Sequence, residues 1–205
     1  MSSPKNPVAA NLVLSAAMLV IMLVLVLMGV RSFGIHPRTG AGLFGIFISP
    51  FLHANMSHFY NNAAVLIILL PTISLFNGKR AKIEMLVIIV VGGLGVWFIG
   101  GSNTNHIGAS GLVFGLITLL FLGGIIKRDV KSVLASIAVF FAYSLVVVRI
   151  FPTNLSEIWF VLQQIGGNFF KGLNPGQTGI SWEGHLFGAI GGVIAAFMFR
   201  KKVST

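Results

Sequence analysis

Ser110 and His185 are the residues of this chain best suited to do chemistry. Ser110 stands in Gly108-Ala109-Ser110-Gly111, at the head of an apolar run that reaches Ile126. His185 stands in Trp182-Glu183-Gly184-His185-Leu186-Phe187-Gly188, at the head of another that reaches Phe199. Polar and ionisable groups are expensive beside hydrocarbon, so their presence there marks a candidate functional site. A hydroxyl nucleophile and an imidazole base at matched depth are the minimal machinery for covalent hydrolysis inside a membrane.

A second constellation lies in Phe51-Leu52-His53-Ala54-Asn55-Met56-Ser57-His58-Phe59-Tyr60-Asn61-Asn62. His58 and Asn62 are four apart and share one helix face. Both can donate hydrogen bonds. Acyl transfer develops an oxyanion, and donors aimed at it are often the largest catalytic term. The backbone N–H of Ser110, at a helix N-terminus, would make a third donor.

The elements that must hold these residues are membrane helices. Of the 205 residues, 56% are hydrophobic and 9% charged, and the mean hydropathy is +0.95; a soluble domain carries about 25% charged residues. A span needs about 20 residues. Charges and polar breaks cut the chain into six such pieces, at about 8–30, 57–76, 83–100, 109–126, 132–151 and 184–199. The uncharged stretch Met85–Ile126 is too long for one helix and is broken by Gly100-Gly101-Ser102-Asn103-Thr104-Asn105. The first run, Val8–Val30, exceeds a signal-peptide core and lacks a clear cleavage site, so it reads as a retained span. The expectation is an all-α polytopic membrane protein, a six-helix bundle in one domain over residues 1–205.

Basic residues then orient the bundle. With the N-terminus inside, ten of the 14 Lys and Arg fall on the inner side: Lys5, Lys79, Arg80, Lys82, Lys127, Arg128, Lys131, Arg200, Lys201 and Lys202. Arg31, Arg38, Arg149 and Lys171 fall outside. Both termini are then cytoplasmic, and the fourth and sixth spans run the same way, with Ser110 and His185 near their outer ends. Glycine supplies the means of contact: Gly184, Gly188, Gly192 and Ala196 form one ladder, and Gly111 and Gly115 another. Small-xxx-small faces let membrane helices approach closely. The outer segment 31–56 mixes Gly and Pro with large apolar residues and reads as non-helical backbone lying partly in the outer leaflet. Pro152–Ile180 reads as a loop and a candidate lid.

Several chemistries are set aside by composition. No cysteine is present, which removes disulfides, thiolate metal sites and a Cys nucleophile. All five histidines (His36, His53, His58, His106, His185) fall on the outer side, but there is no His-Glu-xx-His motif, so neither metal nor cofactor is expected. His36 and His106 read as loop histidines near the interface. The four acids are Glu84, Asp129, Glu157 and Glu183; Glu183 is two residues from His185 and points elsewhere on a helix. A Ser–His dyad is expected rather than a triad. No basic stretch is interleaved with aromatics on a soluble face, so nucleic acid is not an expected partner.

Together these pieces resemble the rhomboid family of intramembrane serine proteases, over nearly the whole chain: six spans, N-terminus inside, a long first loop, His53-xxxx-His58-xxx-Asn62, Gly-x-Ser-Gly opening span four, and His185 opening span six above a glycine ladder. The resemblance implies Ser110 as nucleophile, His185 as general base, and His58, Asn62 and the Ser110 backbone as oxyanion donors. It implies support from Gly108, Gly111 and Phe114, the aromatic residue one turn below the serine. It also implies that Gly188 lets span six approach span four and that His53 is a structural first-loop histidine. The chain departs from many members in having no tryptophan within 31–56, where a Trp-Arg pair is common. The implied partners are single-span membrane-protein substrates and the lipid bilayer; the compact six-span form points to a bacterial inner membrane, with organelle membranes the alternative. Two other readings fit the same composition: a non-catalytic rhomboid-like protein that binds membrane clients, and a small histidine-lined transporter.

Overall fold

Apolar helices without a soluble core dominate the structure, a computed structural model that describes residues 7–138 and 181–200. The expected fifth span beyond residue 138, and the loop Pro152–Ile180 with its candidate lid, lie outside the described residues. The helices are α1 (Pro7–Leu27), α2 (Gly40–Ile48), α3 (Met56–Asn77), α4 (Ala81–Ile99), α5 (Ser110–Lys127), α6 (residues 130–138) and α7 (Trp182–Met198). The described residues are helical apart from turns and one isolated β-bridge, Ile35 with His106.

α1 shows how the polarity is arranged. Asn11, Ser15, Met18, Met22 and Val26 form its buried stripe, while Val13, Val20 and Leu27 are exposed. A soluble helix would bury the apolar face and expose the polar one. Here the exposed face suits lipid, and the few polar groups turn inward. Among the described residues, three stretches are long and apolar enough to cross a membrane: Pro7–Leu27, Met56–Ile99 (α3 and α4 together) and Ser110–Lys127. Hydroxyls within these helices bond the carbonyl one turn back, as Ser15 does to Asn11 O at 2.8 Å and Thr118 to Phe114 O at 2.9 Å. No polar hydrogen of these groups is then presented to lipid.

The long hydrophobic stretch 56–99 turns at Gly78, whose φ of +55° favours a residue without Cβ. α4 returns antiparallel to α3, and α7 lies between α4 and α5. Close approach is built from glycine. A Cβ on Gly188 would run into the backbone of Gly111, one on Gly115 would stand 2.7 Å from Gly188 O, and one on Gly92 would stand 3.3 Å from the Gly188 Cα. α7 therefore runs parallel to α5 and antiparallel to α4, in contact with both along its length.

The segment 31–55 corrects the expectation of non-helical backbone, because residues 40–48 form α2. Thr39 caps it, its hydroxyl accepting from Gly42 N at 3.0 Å. Gly42 and Gly45 lie directly on the backbone of residues 34–36, so tertiary packing overrides the poor helix propensity of glycine. This segment is tied to the end of α4 by Arg38, which donates to Phe98 O (3.0 Å), Gly100 O (2.8 Å) and Ser102 Oγ (2.7 Å). Trp97 Nε1 donates back to Thr39 O at 2.8 Å. An arginine and a tryptophan thus anchor this loop, with the tryptophan supplied by α4.

At the end of the bundle opposite Ser110, the polar groups form their own cluster. Asn77 donates to Glu84 Oε2 at 2.7 Å and accepts from Lys127 Nζ at 2.9 Å. Asn11 donates to Gly78 O at 2.7 Å. Asn77 thus bridges Glu84 and Lys127, while the second carboxylate oxygen of Glu84 is buried without a hydrogen-bond partner.

Candidate active site

Ser110 is the first helical residue of α5, so its N–H is among the four that a helix leaves without an internal partner. The turn before it depends on Gly108, whose φ of +122° is open only to glycine. Gly108 N donates to Ser49 O at 2.9 Å, which ties this turn to the segment 31–55.

His185 occupies the first turn of α7. Its Nε2 lies 3.0 Å from Ser110 Oγ. Its ring is stacked on Phe114 from the next turn of α5, with centroids 4.4 Å apart and 22° between planes. The contact needs the two helices to be closer than side chains normally permit. A Cβ on Gly111 would stand 2.9 Å from Gly184 O, so the glycines flanking the pair set the spacing that the hydrogen bond requires. A hydroxyl bonded to an imidazole in this way has a base within reach of its proton.

His58 and Asn62 lie on the first two turns of α3, beside the same turn. The edge of the His58 ring lies against Gly108: a Cβ there would stand 2.6 Å from both Cε1 and Nε2. Asn55 caps α3, its Oδ1 accepting from His58 N at 2.8 Å. Ala54 N–H faces His58 Nδ1 at 3.5 Å. Asn62 is buried and donates one amide hydrogen to His58 O at 3.0 Å, which leaves its second hydrogen for another acceptor. His53 is fully buried, edge-on to His58 (5.0 Å) and to Phe59 (5.8 Å). Burial, with the neighbouring His58 adding to it, lowers the His53 pKa to about 4. His53 is therefore a neutral packing element at ordinary pH.

The described acids are engaged elsewhere. Glu183 Oε2 lies 3.2 Å from Ser181 Oγ, Glu84 accepts from Asn77, and Asp129 accepts from Ser132 Oγ at 2.5 Å. Glu157 lies outside the described residues. A cleft of about 60 Å3 opens beside Ser110 and is lined by Ser49, His106, Gly108 and Ser181. Two of these, His106 and Ser181, were not singled out by their sequence as parts of the site. Ser181 could have been found as an N-cap, a serine standing just before an acidic residue and an apolar run. Nothing in Thr104-Asn105-His106 distinguishes it from any polar loop.

A family model of the rhomboid domain matches residues 40–202. The chain belongs to the rhomboid family. Its relatives include uncharacterized proteins of Mycobacterium tuberculosis and Mycobacterium bovis, each 35% identical over 170 residues, covering 80% of this chain and 62% of theirs. A protein of Mycobacterium leprae is 35% identical over 161 residues, covering 76% of this chain and 56% of its own. The chain thus spans about three fifths of the length of the curated relatives it matches. Rhomboid proteins are generally intramembrane serine proteases, and the apolar helices make this chain an integral membrane protein.

Proposed function

We propose that this rhomboid protein is an intramembrane serine endopeptidase working through a Ser110–His185 dyad. The observation that carries the reading is the 3.0 Å contact between His185 Nε2 and Ser110 Oγ. In the reaction His185 takes the Ser110 proton as Ser110 attacks the scissile carbonyl. The C–N bond then breaks as His185 gives that proton to the departing amine. A water deprotonated by His185 hydrolyses the acyl-enzyme, and the proton returns to Ser110. His58, Asn62 and the Ser110 N–H hold the oxyanion. The approach of Ala54 N–H to His58 Nδ1 favours the tautomer with hydrogen on Nε2, the one an oxyanion donor needs. Gly108 and Gly111 shape the turn, Phe114 supports the base, and Gly188 and His53 support the packing.

The proposed architecture is a single six-span domain over residues 1–205 with both termini cytoplasmic, in a bacterial inner membrane. Single-span proteins enter laterally, beside the second and fifth spans, and are cut near the outer leaflet where the helix unwinds. The test is reconstitution in proteoliposomes with a tagged single-span substrate. Wild type is expected to release a fragment and Ser110→Ala to release none above background. Equal cleavage by both would overturn the reading.

A further inference from the structure

Two side-chain links join the segment leading into α5 to the start of α7. Ser110 meets His185, and four residues earlier on each element His106 meets Ser181, with Nδ1 2.9 Å from Ser181 Oγ. The residue types are exchanged: serine and histidine swap sides between the two links. The second link has no part in the reaction described above.

Ser181 is the N-cap of α7. Its hydroxyl accepts from Gly184 N at 3.1 Å, and its carbonyl accepts from His185 N at 3.3 Å. The hydroxyl also lies 3.2 Å from Glu183 Oε2. Thr104 gives its hydroxyl hydrogen to Gly101 O at 2.6 Å, so its oxygen accepts from His106 Nε2–H, and a ring with one hydrogen leaves Nδ1 as an acceptor. The Ser181 hydroxyl therefore accepts from Gly184 N–H and donates to His106 Nδ1, the nearer of its two acceptors. The His106 tautomer is set by the network.

His106 is fixed independently of this contact. Its backbone makes both bonds of the bridge to Ile35, at 2.9 and 3.0 Å, and its Nε2 lies 2.7 Å from Thr104 Oγ1. Burial lowers its pKa, with Glu183 opposing and His36 adding to the effect, so the ring carries a single hydrogen at ordinary pH. It is a rigid acceptor held on the Ser110 side and aimed at the cap of the helix that carries His185.

We propose that His106 is a positioning residue for the catalytic base: through the Ser181 hydroxyl it locks the first turn of α7 and so keeps His185 in register with Ser110. The positioning role rests on the protease reading; the cap itself does not. Small misplacements of a catalytic group cost up to about 10² in rate, so loss of the link should cost about tenfold.

The test uses the full chain in detergent and compares wild type, His106→Phe, Ser181→Ala and His106→Asn, whose Oδ1 can stand as acceptor where the imidazole Nδ1 stands. Amide hydrogen exchange of the first turn of α7 reports the cap, and the rate of Ser110 labelling by a fluorophosphonate probe reports the register. His106→Phe and Ser181→Ala are expected to raise exchange at Gly184–Gly188 and to slow labelling and kcat about tenfold with KM unchanged. His106→Asn is expected to recover most of both. If His106→Phe does not fold, Ser181→Ala breaks the same link from the other side. Wild-type exchange and labelling in Ser181→Ala would overturn the proposal, as would equal losses in His106→Asn and His106→Phe. Raised exchange in the variants of a wild type that takes no probe would overturn the protease reading and the positioning role, and leave the cap standing.

Discussion

The His185 ring rests flat on Phe114, 4.4 Å between centroids, while its Nε2 faces Ser110 Oγ one turn above. Both contacts come from α5, so a single helix presents the serine and the surface that orients the histidine. The arrangement restricts the imidazole to the plane in which Nε2 meets the hydroxyl. Phe114→Ala should remove an aromatic contact of about 0.5–1.5 kcal/mol and slow fluorophosphonate labelling of Ser110 by about three- to tenfold. Phe114→Tyr, which keeps the ring, should label close to the wild-type rate. The comparison is a labelling time course for the three proteins at equal folded fraction.

The spacing of α5 and α7 should be sensitive at one atom. Gly188→Ala places a methyl group against the Gly111 backbone, and overpacking of this kind costs about 1–3 kcal/mol. Thermal unfolding in detergent should drop by several degrees and labelling should fall with it. Gly40→Ala, where a Cβ meets nothing within 4 Å, should melt with wild type.

Asn62 spends one amide hydrogen on His58 O, which leaves its second for another acceptor. If that hydrogen serves the oxyanion, Asn62→Ala should reduce kcat by about 10²–10³ with little change in KM. A loss below threefold would remove Asn62 from the oxyanion set.

His53 makes the fold acid-sensitive. Its folded pKa of about 4 lies below the ordinary value of about 6.5, so the unfolded chain binds the proton more readily. Stability from this group is complete above about pH 6.5 and is lost as pH falls towards 4. Melting temperatures between pH 7.5 and 4.5 should decline, and His53→Phe should flatten the decline. An unchanged slope would assign the acid sensitivity to another group.

How much of this was legible follows from the range of each signal. The described long helices were readable because charges such as Lys79, Arg80, Lys127 and Arg128 interrupt apolar runs. The ends of α3, α5 and α7 fall within two residues of the expected bounds. α2 was hidden because Gly40-Ala41-Gly42 predicts loop by local propensity, and its helix exists only through packing of Gly42 and Gly45 on residues 34–36. Ser110 and His185 were visible as polar residues out of place. His106 and Ser181 were not, because each is ordinary in a polar loop and acquires meaning only when two distant loops meet.

The central claim is that Ser110 is a nucleophile activated by His185, and active-site labelling tests it most directly. Purified wild type, Ser110→Ala and His185→Ala would be treated with a fluorescent fluorophosphonate and resolved by gel. Labelling of wild type, absent from both folded variants, is the predicted result. Labelling that persists in Ser110→Ala, or a folded wild type that takes no probe, would contradict the account.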